Sequence, residues 1–236
     1  MTGTHPRLSL VGMLDFIPKS RRPLAPVFEA ISNALEAIAE RHKTATAAQP
    51  GLIILRFYFT GLLDKERELE RIEVSDNGIG FDADNFERFG TFLDRSKGYN
   101  NRGSGRVQFL HFVEQLDVTS HYAADGKIFK RHFLCNPKTY ITELTNEPAG
   151  PATSIDTTIA MGGFLHKDAI KAYFDGLSVA ELRSALKSQY LLRLHLARVA
   201  NPDTAPIFRL EFYKNRKLFD SGTLSSKDVP ETCLSP

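Results

Sequence analysis

Phe28-Glu-Ala-Ile-Ser-Asn-Ala-Leu-Glu36 is the stretch from which the rest of the chain can be ordered. At about 100° per residue, Leu24, Val27, Phe28, Ile31, Leu35 and Ile38 share one apolar stripe of a helix. Glu29, Asn33 and Glu36, spaced i, i+4 and i+7, fall together on roughly the opposite side. Two readings compete for that polar side. An ordinary amphipathic helix turns it to solvent. A functional helix uses the pair: the amide oxygen of Asn33 can ligate a hard cation such as Mg²⁺. The carboxylate of Glu29 can then take a proton from a water held near that cation.

Upstream, residues 1–22 mix apolar pairs with Pro6, Pro18 and the cations Lys19, Arg21 and Arg22, which reads as an arm. Pro23 and Pro26 suit a first helical turn, and the helix runs to about His42. Downstream, Thr44 to Gly51 ends in Pro-Gly, a loop signal. Leu52 to Thr60 is β-branched and aromatic, and Arg71 to Ser75 alternates, so both predict strands. Leu62 to Glu70, a charged segment, predicts a turn or short helix. Gln115–Tyr122, Lys127–Cys135, Ile155–Met161 and Ile207–Tyr213 predict further strands, and Asn136–Gly150 an edge strand and loop. Lys167–Phe174 and Ser178 to about Val199 predict helices. Helix, strands, loop, helix, then consecutive strands gives an α+β sandwich, with helices over a mixed sheet.

Composition narrows the function. The 236 residues suffice for one large domain, or one domain and part of a second. With 30 basic and 28 acidic residues the net charge is +2, so charge implies no general affinity for nucleic acid or membrane. The two cysteines, Cys135 and Cys233, are far apart; a disulfide framework is excluded and a reducing, cytoplasmic setting is expected. The apolar run Gly51–Leu63 is broken by Arg56 and too short to span a bilayer.

Two loops carry the chemistry. Asp76-Asn77-Gly78-Ile79-Gly80-Phe81 follows a strand. Asn-Gly would suit a hairpin, but Asp82 to Phe92 reads as a helix, with Asp84 as N-cap and Glu87 three residues on. The loop therefore joins strand to helix. Gly78 and Gly80 would let a flat ligand approach the backbone, and Asp76 can accept a hydrogen bond from an exocyclic amine. The second loop, Thr91 to Gly105, is polar and carries Lys97 and Arg102. It leads through Gly103-Ser104-Gly105-Arg106 into a helix over Arg106–Glu114. Glycines ahead of a helix start, with cations nearby, favour an anion such as a polyphosphate; a solvated surface loop is the alternative.

Glu29-Ala-Ile-Ser-Asn33 resembles the N-box of the GHKL ATPases, the superfamily of gyrase B subunits, large heat-shock chaperones, histidine kinases and MutL. Asp76-Asn77-Gly78-Ile79-Gly80 resembles its first glycine box, and Arg102-Gly103-Ser104-Gly105-Arg106 its second, after a lid. Thr153-Ser154-Ile155 resembles the family's Gly-Thr-x-Ile element, with Ala152 in place of the glycine. The resemblance spans about Pro23 to Ala160 and implies a Bergerat fold binding ATP and Mg²⁺. It implies Glu29 as general base, Asn33 as metal ligand and Asp76 as reader of the adenine amine, with Gly80 supporting the base. Gly78, Gly103, Ser104 and Gly105 would complete the nucleotide site. Lys97 and Arg106 are candidates from charge and position only, and Thr153 is a lesser candidate for the adenine end.

The segment Gly90–Lys97 and the Gly-Ser-Gly that follows look nearer the chaperone, MutL and MORC side. The expected division is an arm (1–22), the ATP-binding domain (23–165) and a helical extension with a strand (166–236). That extension could open a following domain. The expected function is slow ATP hydrolysis driving lid closure and a conformational or dimerisation cycle, as the N-terminal module of a larger protein. Expected partners are ATP, a second copy, and a downstream domain or partner protein. The alternatives are histidine-kinase phosphotransfer and a non-hydrolysing nucleotide sensor.

Overall fold

The structure is a computed structural model that describes Leu14 and residues 17–44, 49–62, 67–91, 105–150 and 153–230. Helix α1 (Ala25–Thr44) comes first. Its buried stripe is Leu24, Val27, Ile31 and Ile38, widened by Ala30 and Ala34, while Phe28 and Leu35 are half-buried against the same core. Arg41, His42 and Lys43 occupy its last turn, where positive charge suits the helix dipole.

The strands are β1 (Leu52–Thr60), β2 (Glu68–Asp76), β3 (Val113–Ala124), β4 (Lys127–Asn136), β5 (Tyr140–Pro148), β6 (Asp156–Phe164), β7 (Ile207–Lys214) and β8 (Lys217–Leu224). Helices α2 (Ala83–Gly90) and α3 (Gly105–Phe112) lie between β2 and β3, and α4 (Lys167–Gly176) and α5 (Val179–Ala200) between β6 and β7. All eight strands form one sheet in the order β5-β4-β3-β6-β2-β1-β7-β8. Among the described residues, only the β1–β7 pairing is parallel. The protein is thus an α+β two-layer sandwich with a mixed, mostly antiparallel sheet.

Strand alternation sorts the side chains. Ile53, Leu55, Phe57 and Phe59 of β1 and Phe208, Leu210 and Phe212 of β7 are buried inward. Arg56, which interrupts the apolar run in the sequence, points to the other face. There it bonds Glu211 at 3.0 Å and Ser75 at 3.2 Å.

Four local expectations need correction. The N-cap of α2 is Asp82, whose extended backbone lets its carboxylate accept from the Asn85 N–H at 2.7 Å; Asp84 lies inside the first turn. Within Leu62–Glu70, the residues from Glu68 onward are already strand, because a register shift opposite Tyr58/Phe59 breaks the alternation that would announce it. Strand β8 had no apolar rhythm to betray it: it is an edge strand, exposed along most of its length. Finally, Val113 and Glu114, expected in helix α3, open strand β3. Residues 166–230 add β7 and β8 to the same sheet, with α5 packed against both. Among the described residues, no helix is long and apolar enough to cross a membrane.

Candidate functional site

Strand β2 ends at Asp76, which is 8% exposed. It pairs with Ile53 of β1 on one side and Thr157 of β6 on the other. Its Oδ1 accepts from the Gly78 N–H at 2.8 Å. Burial pushes the carboxyl up to about 7. The Gly78 bond and the charge of Arg41 pull it down, and Asp156 adds to the rise. An acid held this way carries a proton through much of the range where ordinary aspartates are ionised.

The loop after Asp76 is fastened by its own residues. The side-chain oxygen of Asn77 accepts from the Leu52 N–H at 2.8 Å, and its amide donates to the Pro50 carbonyl at 3.1 Å. Asn77 thus splices the loop to the start of β1. From the end of α1, Arg41 donates to the carbonyls of Asn77 and, at 2.9 Å, Gln49.

The two glycines are needed for packing within the protein itself. A Cβ on Gly78 would stand 2.5 Å from the Ala37 Cβ, so α1 can approach only because that side chain is missing. Gly80 has φ +78°, and a Cβ there would stand 2.5 Å from the His121 carbonyl oxygen.

α1, this loop, α2 and β6 enclose a cleft of about 90 Å³. Asp76 and Thr157 lie at its sheet end. Ile79, Phe81, Phe89 and Ile159 supply apolar walls. Asn33, Glu36, Ala37 and Glu40 line it from α1, and Asn85 and Arg88 from α2. Of the sequence-derived candidates, Asn33, Asp76 and Gly80 therefore share one cleft. Glu29 is half-buried one turn before Asn33 and is not among the lining residues. Gly78 faces Ala37. Gly105 and Arg106 open helix α3, which packs on α1. Lys97, Gly103 and Ser104 lie outside the described residues.

Thr153 sits in the turn before β6, its N–H bonded to the Gly150 carbonyl at 3.0 Å, and does not line the cleft. The threonine beside Asp76 is Thr157, a residue missed by the sequence reading. A period-2 count back from Ile159 would have placed Thr157 on the inward face. Its Oγ1 lies 2.9 Å from the Ser120 hydroxyl, which also accepts from the Phe81 N–H at 2.9 Å. One hydroxyl relay therefore joins the floor of the cleft to its wall.

A larger cavity, about 300 Å³, lies at the opposite end of β2, lined among others by Thr60, Glu68, Glu70, Lys167 and Lys171. It is roughly 25 Å from Asp76 along the strand. Size favours it, but its charges are of both signs and lack a buried polar group among them. The smaller cleft joins a buried acid, a carboxamide and flat apolar walls, the pattern of a specific small-molecule site. Among the described residues, no three His, Cys, Asp or Glu side chains converge to hold a metal. No protein-family model matches the chain, and no curated protein matches it.

Proposed function

We propose that this cleft binds ATP with Mg²⁺ and that the protein hydrolyses it slowly, as the ATPase module of the GHKL type its motifs resemble. The observation that carries the reading is the shared cleft of Asp76 and Asn33. They come from sequence boxes more than forty residues apart and meet at one opening. About 90 Å³ is well below the ~300–1,000 Å³ of whole-ligand pockets. It suits a planar base alone, with the rest of the nucleotide outside it along α1.

In this reading Asp76 accepts from the exocyclic amine of the base, and Thr157 stands beside it. Ile79, Phe81, Phe89 and Ile159 cover the ring faces. The donor set fits a magnesium ion of the kind held mainly by phosphates and water, with one protein ligand, Asn33. Bound there, the ion would neutralise and orient phosphate charge. Glu29, one turn away on the same helix, takes a proton from the attacking water. Lid closure and nucleotide-gated dimerisation follow as the use of that turnover.

The test is a titration of the full chain with a non-hydrolysable ATP analogue and Mg²⁺. At a hundredfold its dissociation constant the analogue should add about 2.7 kcal/mol of stability. Asp76→Asn should erase that gain. Glu29→Gln should keep it and lose turnover. A gain unchanged in Asp76→Asn removes the base assignment; binding without turnover in the wild type leaves a nucleotide sensor. Labelling of a protein partner by γ-phosphate would instead indicate phosphotransfer.

A further inference from the structure

Helix α5 reaches the turn of α1 that presents Glu29 and Asn33. Tyr190 of α5 is 3% exposed, and its hydroxyl donates to the Phe28 carbonyl at 2.7 Å. The Ser32 hydroxyl lies 3.3 Å from the Tyr190 hydroxyl oxygen and, with the tyrosine proton committed to Phe28, donates to it. The two bonded residues bracket the candidate base: Phe28 precedes Glu29, and Ser32 precedes Asn33. The ring itself is fixed on both sides. It meets Phe28 edge-on at 6.1 Å and stacks on Phe208 of β7 at 6.0 Å. Burial raises the tyrosine pKa; the Ser32 bond and the charge of Arg193 lower it, and the charge of Glu29 adds a smaller rise.

A helix that only needed covering would receive an apolar side chain here. A buried hydroxyl satisfied by two groups of one helical turn fixes the rotation and depth of that turn instead. General-base catalysis depends on such placement, since proton transfer needs heavy atoms within hydrogen-bond reach. Small displacements cost turnover before they cost binding.

We propose that Tyr190 is a positioning residue for hydrolysis, holding the Phe28–Asn33 turn so that Glu29 and Asn33 stand in register with bound nucleotide. This rests on the ATPase reading of the cleft. It adds that the segment after β6 acts on the chemistry, although its described residues contribute nothing to the cleft wall.

The experiment compares wild type, Tyr190→Phe, Ser32→Ala and Glu29→Gln in the full chain, measuring nucleotide affinity, turnover and melting temperature for each. Tyr190→Phe keeps the ring and removes only the hydroxyl. Its turnover should fall about tenfold while affinity for the non-hydrolysable analogue stays within about twofold. Ser32→Ala, which spares the Phe28 bond, should show the same split at a smaller size. Equal losses of affinity and turnover in both variants, or wild-type turnover in both, overturn the positioning role. If Tyr190→Phe does not fold, the Ser32→Ala split decides alone. Failure of the ATPase reading looks different: wild type itself shows no turnover, or Glu29→Gln retains it.

Discussion

At the residue scale, the proposed role of Asp76 sets stability against binding. Below about pH 4 its carboxyl is protonated in both the folded and unfolded chains and costs nothing. Between pH 4 and about pH 7 the unfolded chain ionises there while the folded chain keeps its proton. Stability therefore falls as pH rises through that window and stays at the lower level above it. The raised pKa corresponds to a cost on the order of 4 kcal/mol. Asp76→Asn keeps an oxygen for the Gly78 N–H and cannot ionise. The variant's melting temperature should gain on the wild type's between pH 4.5 and pH 8, and a pH-independent difference would remove the buried-acid account. If ATP binds as proposed, analogue affinity in the wild type should rise with pH through about 7, because the ionised carboxylate is the stronger acceptor for the base amine. Isothermal titration at pH 6 and pH 8 checks this, with proton release expected at the lower pH. Gly80 is the second sensitive position. Gly80→Ala combines a positive φ with a backbone clash at the His121 carbonyl. It should cost more than the ~1 kcal/mol of an ordinary glycine exchange, measured as a shift of the denaturant midpoint.

At the element scale, the loop after β2 is held by Asn77 to β1, by Arg41 to α1, by Ser120 to β3 and by Arg131 to β4. The Arg131 guanidinium donates to the carbonyls of Phe81 at 2.6 Å and Asp82 at 2.7 Å, and its Nε to Glu143 at 2.8 Å. Its side chain is 6% exposed and Glu143's is 37%, so the partner's charge is partly screened. Arg131→Met should cost about 2 kcal/mol or more by stranding the two carbonyls. It should also weaken analogue binding, because Phe81 lines the cleft; thermal melts with and without ligand check both effects. None of this strapping was legible in advance. Arg131 lies in a segment read simply as a strand, and the two loop groups it holds are backbone carbonyls, which have no sequence signature. The apolar stripe of α1, the strands β1 and β3, and the strand–loop–helix turn at Asp76 were legible, because each depends on local periodicity and turn chemistry. Asp82 was passed over as cap because Asp84 also satisfied the local pattern. Thr157 was not legible from the motif, which points to Thr153 four residues earlier; only the alternation of faces along the strand singles it out. The close packing of Gly78 on α1 and of Gly80 on β3 is a tertiary fact that the glycines alone could not disclose.

At the scale of the whole molecule, nucleotide and sheet make separate predictions. With Glu29→Gln and ATP·Mg²⁺ to hold the bound state, light scattering should show a doubled mass; persistent monomer would remove dimerisation from the proposed cycle while leaving binding intact. The sheet bears on whether residues 166–236 form a unit of their own. β7 lies between β1 and β8, parallel to β1 over Leu52–Phe59. Phe208, Leu210, Phe212 and Leu224 are all fully buried in the common core. At roughly 1.5–3 kcal/mol for each fully buried side chain, these four contribute about 6–12 kcal/mol. The entire stability of a typical domain is about 5–15 kcal/mol. A chain ending at Ala200 would also leave β1 as an unpaired, strongly apolar edge, a site for aggregation. Such a chain should be insoluble, or soluble without cooperative melting, although it keeps both glycine boxes and every cleft-lining residue. If the truncated chain instead melted cooperatively and bound the analogue as the full chain does, the last two strands would be an accessory to a fold complete without them. The eight-stranded sheet would then not be the cooperative unit.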